Sequence, residues 1–156
     1  MCGGGVWVLS SEESAQGKYE LLQKLVAEYE YLRAVAQALE EQIRLAESAQ
    51  QDLVVTMVSI QELGEKGLNK ELLVPLGSGV MAETVLAKYD KLLVSLGLNI
   101  YARLEPSKVV EYLNGRREFL KGRTDELVKD YSATLQRMGL LEPKINRLVR
   151  ELQAGQ

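Results

Sequence analysis

The 156 residues carry 22 acidic and 19 basic side chains, for a formal net charge of −3, with no histidine and a single cysteine, Cys2. This excludes zinc sites built on histidine or several cysteines, histidine-based catalytic triads and an intrachain disulfide, and it argues against a nucleic-acid binder, which would want a basic stripe. No apolar run approaches the roughly 18 residues of a membrane span, so neither nucleic acid nor membrane is expected as a partner, and a cytoplasmic location follows by elimination.

In chain order, residues 1–9 read as a flexible tail: a Gly-rich start, then Val6-Trp7-Val8-Leu9, too brief and without the basic flank of a secretory signal. Ser10 and Glu13 have the spacing of a capping box, so a first helix is expected over 10–63. Within it Leu22, Leu25, Tyr29, Leu32, Ala36, Leu39, Ile43, Ala46, Gln50, Leu53, Met57 and Ile60 recur at alternating steps of three and four. Such a seam keeps one stripe of a helix turned toward a partner helix. Gly64 and Gly67 are expected to end it.

Residues 64–105 lose the heptads and read as a β-hairpin region. Short strands are expected at 72–76, 80–86, 91–96 and 100–104, with turns at Gly77-Ser78-Gly79, Tyr89-Asp90-Lys91 and Gly97-Leu98-Asn99. Pro106 then opens a second helix over 106–156, its missing N–H harmless in the first turn. This helix carries a matching seam: Val110, Leu113, Arg117, Leu120, Thr124, Leu127, Tyr131, Thr134, Met138, Leu141, Ile145, Leu148 and Leu152. In the same frame Gly115, Gly122 and Pro143 fall outermost and Gly139 off the seam, so the breakers soften the solvent face only.

Two seams of equal length joined by a compact insert imply one chain folded back on itself. The fold class is mainly α with a small β insert: a long antiparallel two-helix coiled coil joined by two β-hairpins. Facing pairs run from Leu22 with Leu148 to Ile60 with Val110, and Gln50 and Arg117 fall in adjacent layers, where they could share a hydrogen bond. The arms differ in charge, with ten acidic and four basic residues over 10–63 against eight and ten over 105–156, which suits side-by-side packing.

Isolated hairpins are marginal in water, and this insert holds more apolar residues than it can bury against itself. Leu72, Val74, Leu76, Val80, Val85, Leu92, Val94, Leu96 and Ile100 are therefore expected to form an oligomer interface, strand edges being ready templates for other chains. The bland alternative is that the insert packs only on its own coiled coil. At the far ends of the helices, Val6, Trp7, Val8, Leu9, Leu140, Leu141 and Leu152 form an apolar tip suited to weak contact with non-native chains. For the last two, ordinary seam packing competes with that role. Acidic pairs such as Glu12-Glu13 and Asp125-Glu126 are ordinary solvated helix positions, and Gly77-Ser78-Gly79 lacks the Lys of a phosphate loop. No enzyme activity, cofactor or metal is expected.

The order helix, paired hairpins, helix resembles a prefoldin subunit. The stretch LLVPLGSGVMAETVLAKYDKLLVSLGLNIYARLE (72–105) is similar to the α-class core, in LVPLGSG (73–79), the turn at Asp90 and LVSLGLNIYARLE (93–105). Four strands favour the α over the β class. The resemblance implies a nucleotide-independent holdase of archaeal type. In it two α-type and four β-type subunits join their hairpins, and the coiled-coil tips hold unfolded clients and pass them to a group II chaperonin. The alternatives are a coiled-coil scaffold and a divergent, filament-forming prefoldin.

Overall fold

The computed structural model describes the backbone of residues 6–154 and the side chains of 15–154. The element order is α1 (Val6–Lys66), β1 (Glu71–Gly77), β2 (Val80–Val85), β3 (Leu92–Gly97), β4 (Ile100–Leu104) and α2 (Pro106–Ala154). All six elements were legible in the sequence, the strands to within one residue at every end.

The helix ends differ from expectation. α1 begins at Val6, so Ser10 lies inside the helix and the reading of residues 6–9 as tail is corrected; residues 1–5 lie outside the described residues. No Gly or Pro stands between Val6 and Gly17, and extending a helix gains one hydrogen bond for each residue fixed. At the other end Gly64 is helical, and the stop comes at Gly67, whose N–H donates to the Leu63 carbonyl at 3.0 Å. Pro106 is the first residue of α2, and the Val109 N–H donates to the Glu105 carbonyl at 3.0 Å. The α2 helix continues through Pro143, which is exposed.

The chain forms two compact units, one made of the residues up to Arg44 and from Asp125 on, the other of Leu45–Thr124. In each, the two seams meet: every seam position named above is buried or half-buried. In the first unit Leu32, Ala36 and Leu141 are buried, and the antiparallel sense shows in two ion pairs. Lys18 Nζ lies 3.0 Å from Glu151 Oε2, and further along α1 the Arg137 Nε donates to Glu28 Oε1 at 2.9 Å. Numbers that rise along α1 fall along α2.

In the second unit Ile60, Val109 and Leu113 make a buried cluster, with Leu53, Met57, Val110 and Tyr112 packed on it from the helices. Its polar layer differs from the expected one. Gln50 Nε2 donates to Thr124 Oγ1 at 2.9 Å, and the Thr124 hydroxyl donates to the Leu120 carbonyl at 2.9 Å. Thr124, not Arg117, is therefore the partner of Gln50, because the short hydroxyl faces inward and already has one acceptor within its own helix.

Candidate functional site

Each hairpin is its own two-stranded antiparallel sheet, β1 with β2 and β3 with β4, so all four strands have one unpaired edge. Ser78 (φ 50°) and Gly79 (φ 80°) form the first turn, Leu98 (φ 49°) and Asn99 (φ 60°) the second. Two successive residues with positive φ mark the tight turn whose twist matches that of the flanking strands. In both hairpins the register shifts beside the turn, between Pro75 and Gly77 and between Ser95 and Gly97.

The hairpins differ in how they are used. In β3–β4 the paired residues Leu92 and Leu104, and Val94 and Ala102, form one half-buried face, and Leu92, Val94 and Leu104 rest on the Ile60 cluster. The opposite face carries Leu93, Ser95, Tyr101 and Arg103, all exposed. This corrects the expectation for Leu92 and Val94, which pack on the chain's own helices. Strand side chains alternate, so of three apolar neighbours the middle one must turn outward. In β1–β2 no residue is buried, and only Leu72 and Ala82 are half-buried. Val74, Leu76, Val80 and Val85 are exposed there, as are Leu96 and Ile100 in the second hairpin.

Further apolar residues of the hairpins, outside the expected interface set, are exposed as well. Leu73, Met81, Leu93, Leu98 and Tyr101 are all exposed, and Leu98, at the hairpin tip, is 96% so. A strict period-two reading of 92–97 would have found Leu93. For Leu98 the turn spacing was visible, but glycine or asparagine is the ordinary residue at positive φ, and a leucine gave no sign of exposure.

Tyr89 fixes the link between the hairpins. Its hydroxyl donates to the Ile60 carbonyl, and burial pushes the phenol above its ordinary titration range. Asn69 N–H donates to the Leu86 carbonyl at 3.1 Å, tying the end of β2 to the segment that leaves α1.

At the helix ends, Leu140 is 67% exposed, whereas Leu141 is 6% exposed and belongs to the seam; Leu152 is half-buried. Leu141 is thus removed from the expected tip set, because adjacent helical residues point about 100° apart and the seam claims one of them. The side chains of Val6, Trp7, Val8 and Leu9 lie outside the described residues. Glu151, which pairs with Lys18 of α1, is held below the usual carboxylate range by hydrogen bonds from Arg147 and then Lys18.

Among the described residues there is no cluster of side chains that could hold a metal ion, and no helix is long and apolar enough to cross a membrane. What the geometry offers is apolar surface and free strand edges. An assembly module defined by two helices and two hairpins is the class this describes.

The prefoldin family model, "Prefoldin subunit", matches residues 32–151, and the chain belongs to that family. "Prefoldin subunit alpha" of Thermofilum pendens is 28% identical over 79% of this chain and 95% of its own length. "Prefoldin subunit alpha 2" of Methanocaldococcus jannaschii is 33% identical over 86% of this chain and 82% of its own length. A solved structure of filamentous PFD from M. jannaschii is 28% identical, covers 85% of this chain and 98% of that one, and has a TM-score of 0.41. The chain is an α-class prefoldin subunit of archaeal type, part of a chaperone that assembles from prefoldin subunits.

Proposed function

We propose that the chain joins β-class prefoldin subunits through its hairpins, two α with four β, and acts in the cytoplasm as a holdase without nucleotide. The observation that carries this reading is the open β1–β2 hairpin: among the described residues it has no buried side chain, and Leu73, Leu76, Val80, Met81 and Val85 are exposed on it. Large exposed apolar patches mark contact sites, and an unpaired strand edge is completed most directly by another strand. Leu96, Leu98, Ile100 and Tyr101 extend the same kind of surface on the second hairpin.

Client capture is assigned to the ends of the helices near residues 6–9 and 152, with Leu140 as its exposed member. The captured, non-native polypeptide would then pass to a group II chaperonin. Mass measurement of the chain alone and mixed with a β-class subunit tests the assembly, with a hexamer expected from the mixture. Light scattering of a chemically unfolded protein tests the holdase. Suppressed aggregation without nucleotide at stoichiometric complex is expected; unchanged aggregation would leave a coiled-coil scaffold.

A further inference from the structure

We propose that Glu83 and Arg103 select unlike pairing between the two hairpins, so that β1–β2 of one copy of this chain packs on β3–β4 of a second copy. This rests on the reading that the hairpins are the chain's assembly surface. The two hairpins are versions of one unit. Leu72, Leu73, Val74, Leu76, Gly77 and Ala82 recur unchanged 20 residues further on, and each hairpin has a two-residue turn beside a register shift. What the repeat does not keep is charge. All three charged residues of 70–84 meet the opposite sign at the equivalent position: Lys70 becomes Asp90, Glu71 becomes Lys91 and Glu83 becomes Arg103.

Strand pairing sets these charges among apolar neighbours. Glu83 lies across from Leu73 and Arg103 across from Leu93, and directly opposed residues of an antiparallel pair project to the same side. The first hairpin thus shows Leu73, Met81 and Val85 around Glu83, and the second shows Leu93 and Tyr101 around Arg103, all of them exposed. Among the described residues neither Glu83 nor Arg103 has an ion-pair partner, and the hairpins are separate sheets within the chain. Like against like would set carboxylate against carboxylate and guanidinium against guanidinium. Unlike hairpins instead bring each carboxylate to a guanidinium over an apolar contact. A second copy carries that complement on a hairpin of matching turn length and register shift, which makes it the occupant. The opposite face of the first hairpin, with Leu72 and Ala82, stays free for other subunits.

The test is sedimentation velocity of the full chain alone over a range of concentrations. The parent should self-associate, and E83R and R103E should each weaken that association by about tenfold or more. Added salt should weaken it in the parent. The double variant E83R/R103E should recover it, as should an equimolar mixture of the two single variants, because both restore opposite charges across the contact. Both substituted positions are exposed, and circular dichroism checks that the helices persist. A parent that stays monomeric, single variants that associate as the parent does, or a double variant no better than the singles would overturn the proposal. Mixing with a β-class subunit keeps the two readings apart: a parent that is monomeric alone yet enters a hexamer retains the assembly reading and loses this pairing.

Discussion

A Cβ built on Gly64 would lie 2.7 Å from Cε1 of Tyr89, so the tyrosine ring fills the space a side chain at position 64 would need. The glycine inside the last turns of α1 is there for close approach. The ring it admits carries the hydroxyl that reaches the Ile60 carbonyl, one turn back on the same helix. The link between the hairpins is thereby fastened to the helix that precedes both.

Gly64→Ala should destabilise the chain by about 1–3 kcal/mol, the usual range for overpacking, because the ring must move and surrender its hydrogen bond. Tyr89→Phe keeps the ring and loses only the hydroxyl, at about 0.5–1.5 kcal/mol. Tyr89→Phe has a second signature. The folded phenol titrates above its unfolded value of about 10. Its contribution is therefore whole below about pH 10 and is lost as pH rises through the folded value. Melting temperatures compared between pH 8 and pH 11 should fall more steeply for the parent than for Tyr89→Phe. Parallel curves would show that the phenol titrates freely.

The Gln50–Thr124 pair puts two polar groups into a seam whose flanking positions Ala46, Leu53, Leu120 and Leu127 are apolar. Polar residues at such positions fix register at a cost in stability. A slip of one heptad would set Gln50 against a different layer and leave its amide without this acceptor, so a double Gln50→Leu, Thr124→Val change should raise the melting temperature. It should also multiply amide NMR peaks in residues 45–60, as alternative registers become populated. A single sharp peak set would mean that the surrounding apolar layers define register unaided.

How far the sequence foretold this molecule depended on where its information is repeated. Seam positions recur over many turns, so Leu22 and Leu152 are placed by the same rule and one odd residue cannot mislead. Strand facing has no such redundancy in a six-residue run: Leu92, Leu93 and Val94 are equally apolar, and only the helices beneath decide which face packs. Gly64 was misread as a stop because a breaker and a close approach look alike in one dimension. The Leu140–Leu141 pair was ambiguous for a similar reason, both being leucines in the last third of one helix.

Gly122 and Gly139 meet nothing within 4 Å of a built Cβ, in keeping with their expected place off the seam. Replacing either by alanine should stabilise the chain by about 0.5–1 kcal/mol, the helix-propensity difference, with the two effects additive. Urea titration followed by circular dichroism would measure this. A loss of stability would mean that the face they occupy is covered in the measured species.

Leu98 holds a left-handed backbone conformation (φ 49°) with its side chain almost wholly in solvent, a cost of about 1–2 kcal/mol for a residue with a Cβ and a branched chain. Leu98→Gly should therefore slow amide exchange in β3 and β4 of the isolated chain. If the side chain is an anchor for a neighbouring subunit, the same change should lower the yield of assembled complex on size-exclusion chromatography. Unchanged assembly would remove Leu98 from the interface and leave Leu93, Ile100 and Tyr101 to carry that hairpin.

Glu151 is half-buried and accepts from both Arg147 on its own helix and Lys18 on the other, and these hold its carboxyl below the usual range. A carboxylate with a depressed folded value contributes stability above its unfolded value of about 4.3 and loses it as pH falls through the folded one. Glu151→Gln should thus flatten the decline of the melting temperature between pH 5 and pH 3 relative to the parent. Half-molar salt should shrink the difference, because exposed pairs are screened. Lys18→Ala separates the two donors: retention of most of the effect would assign it to Arg147, the local partner four residues away, and leave the contact between the helices as a weak orienting one.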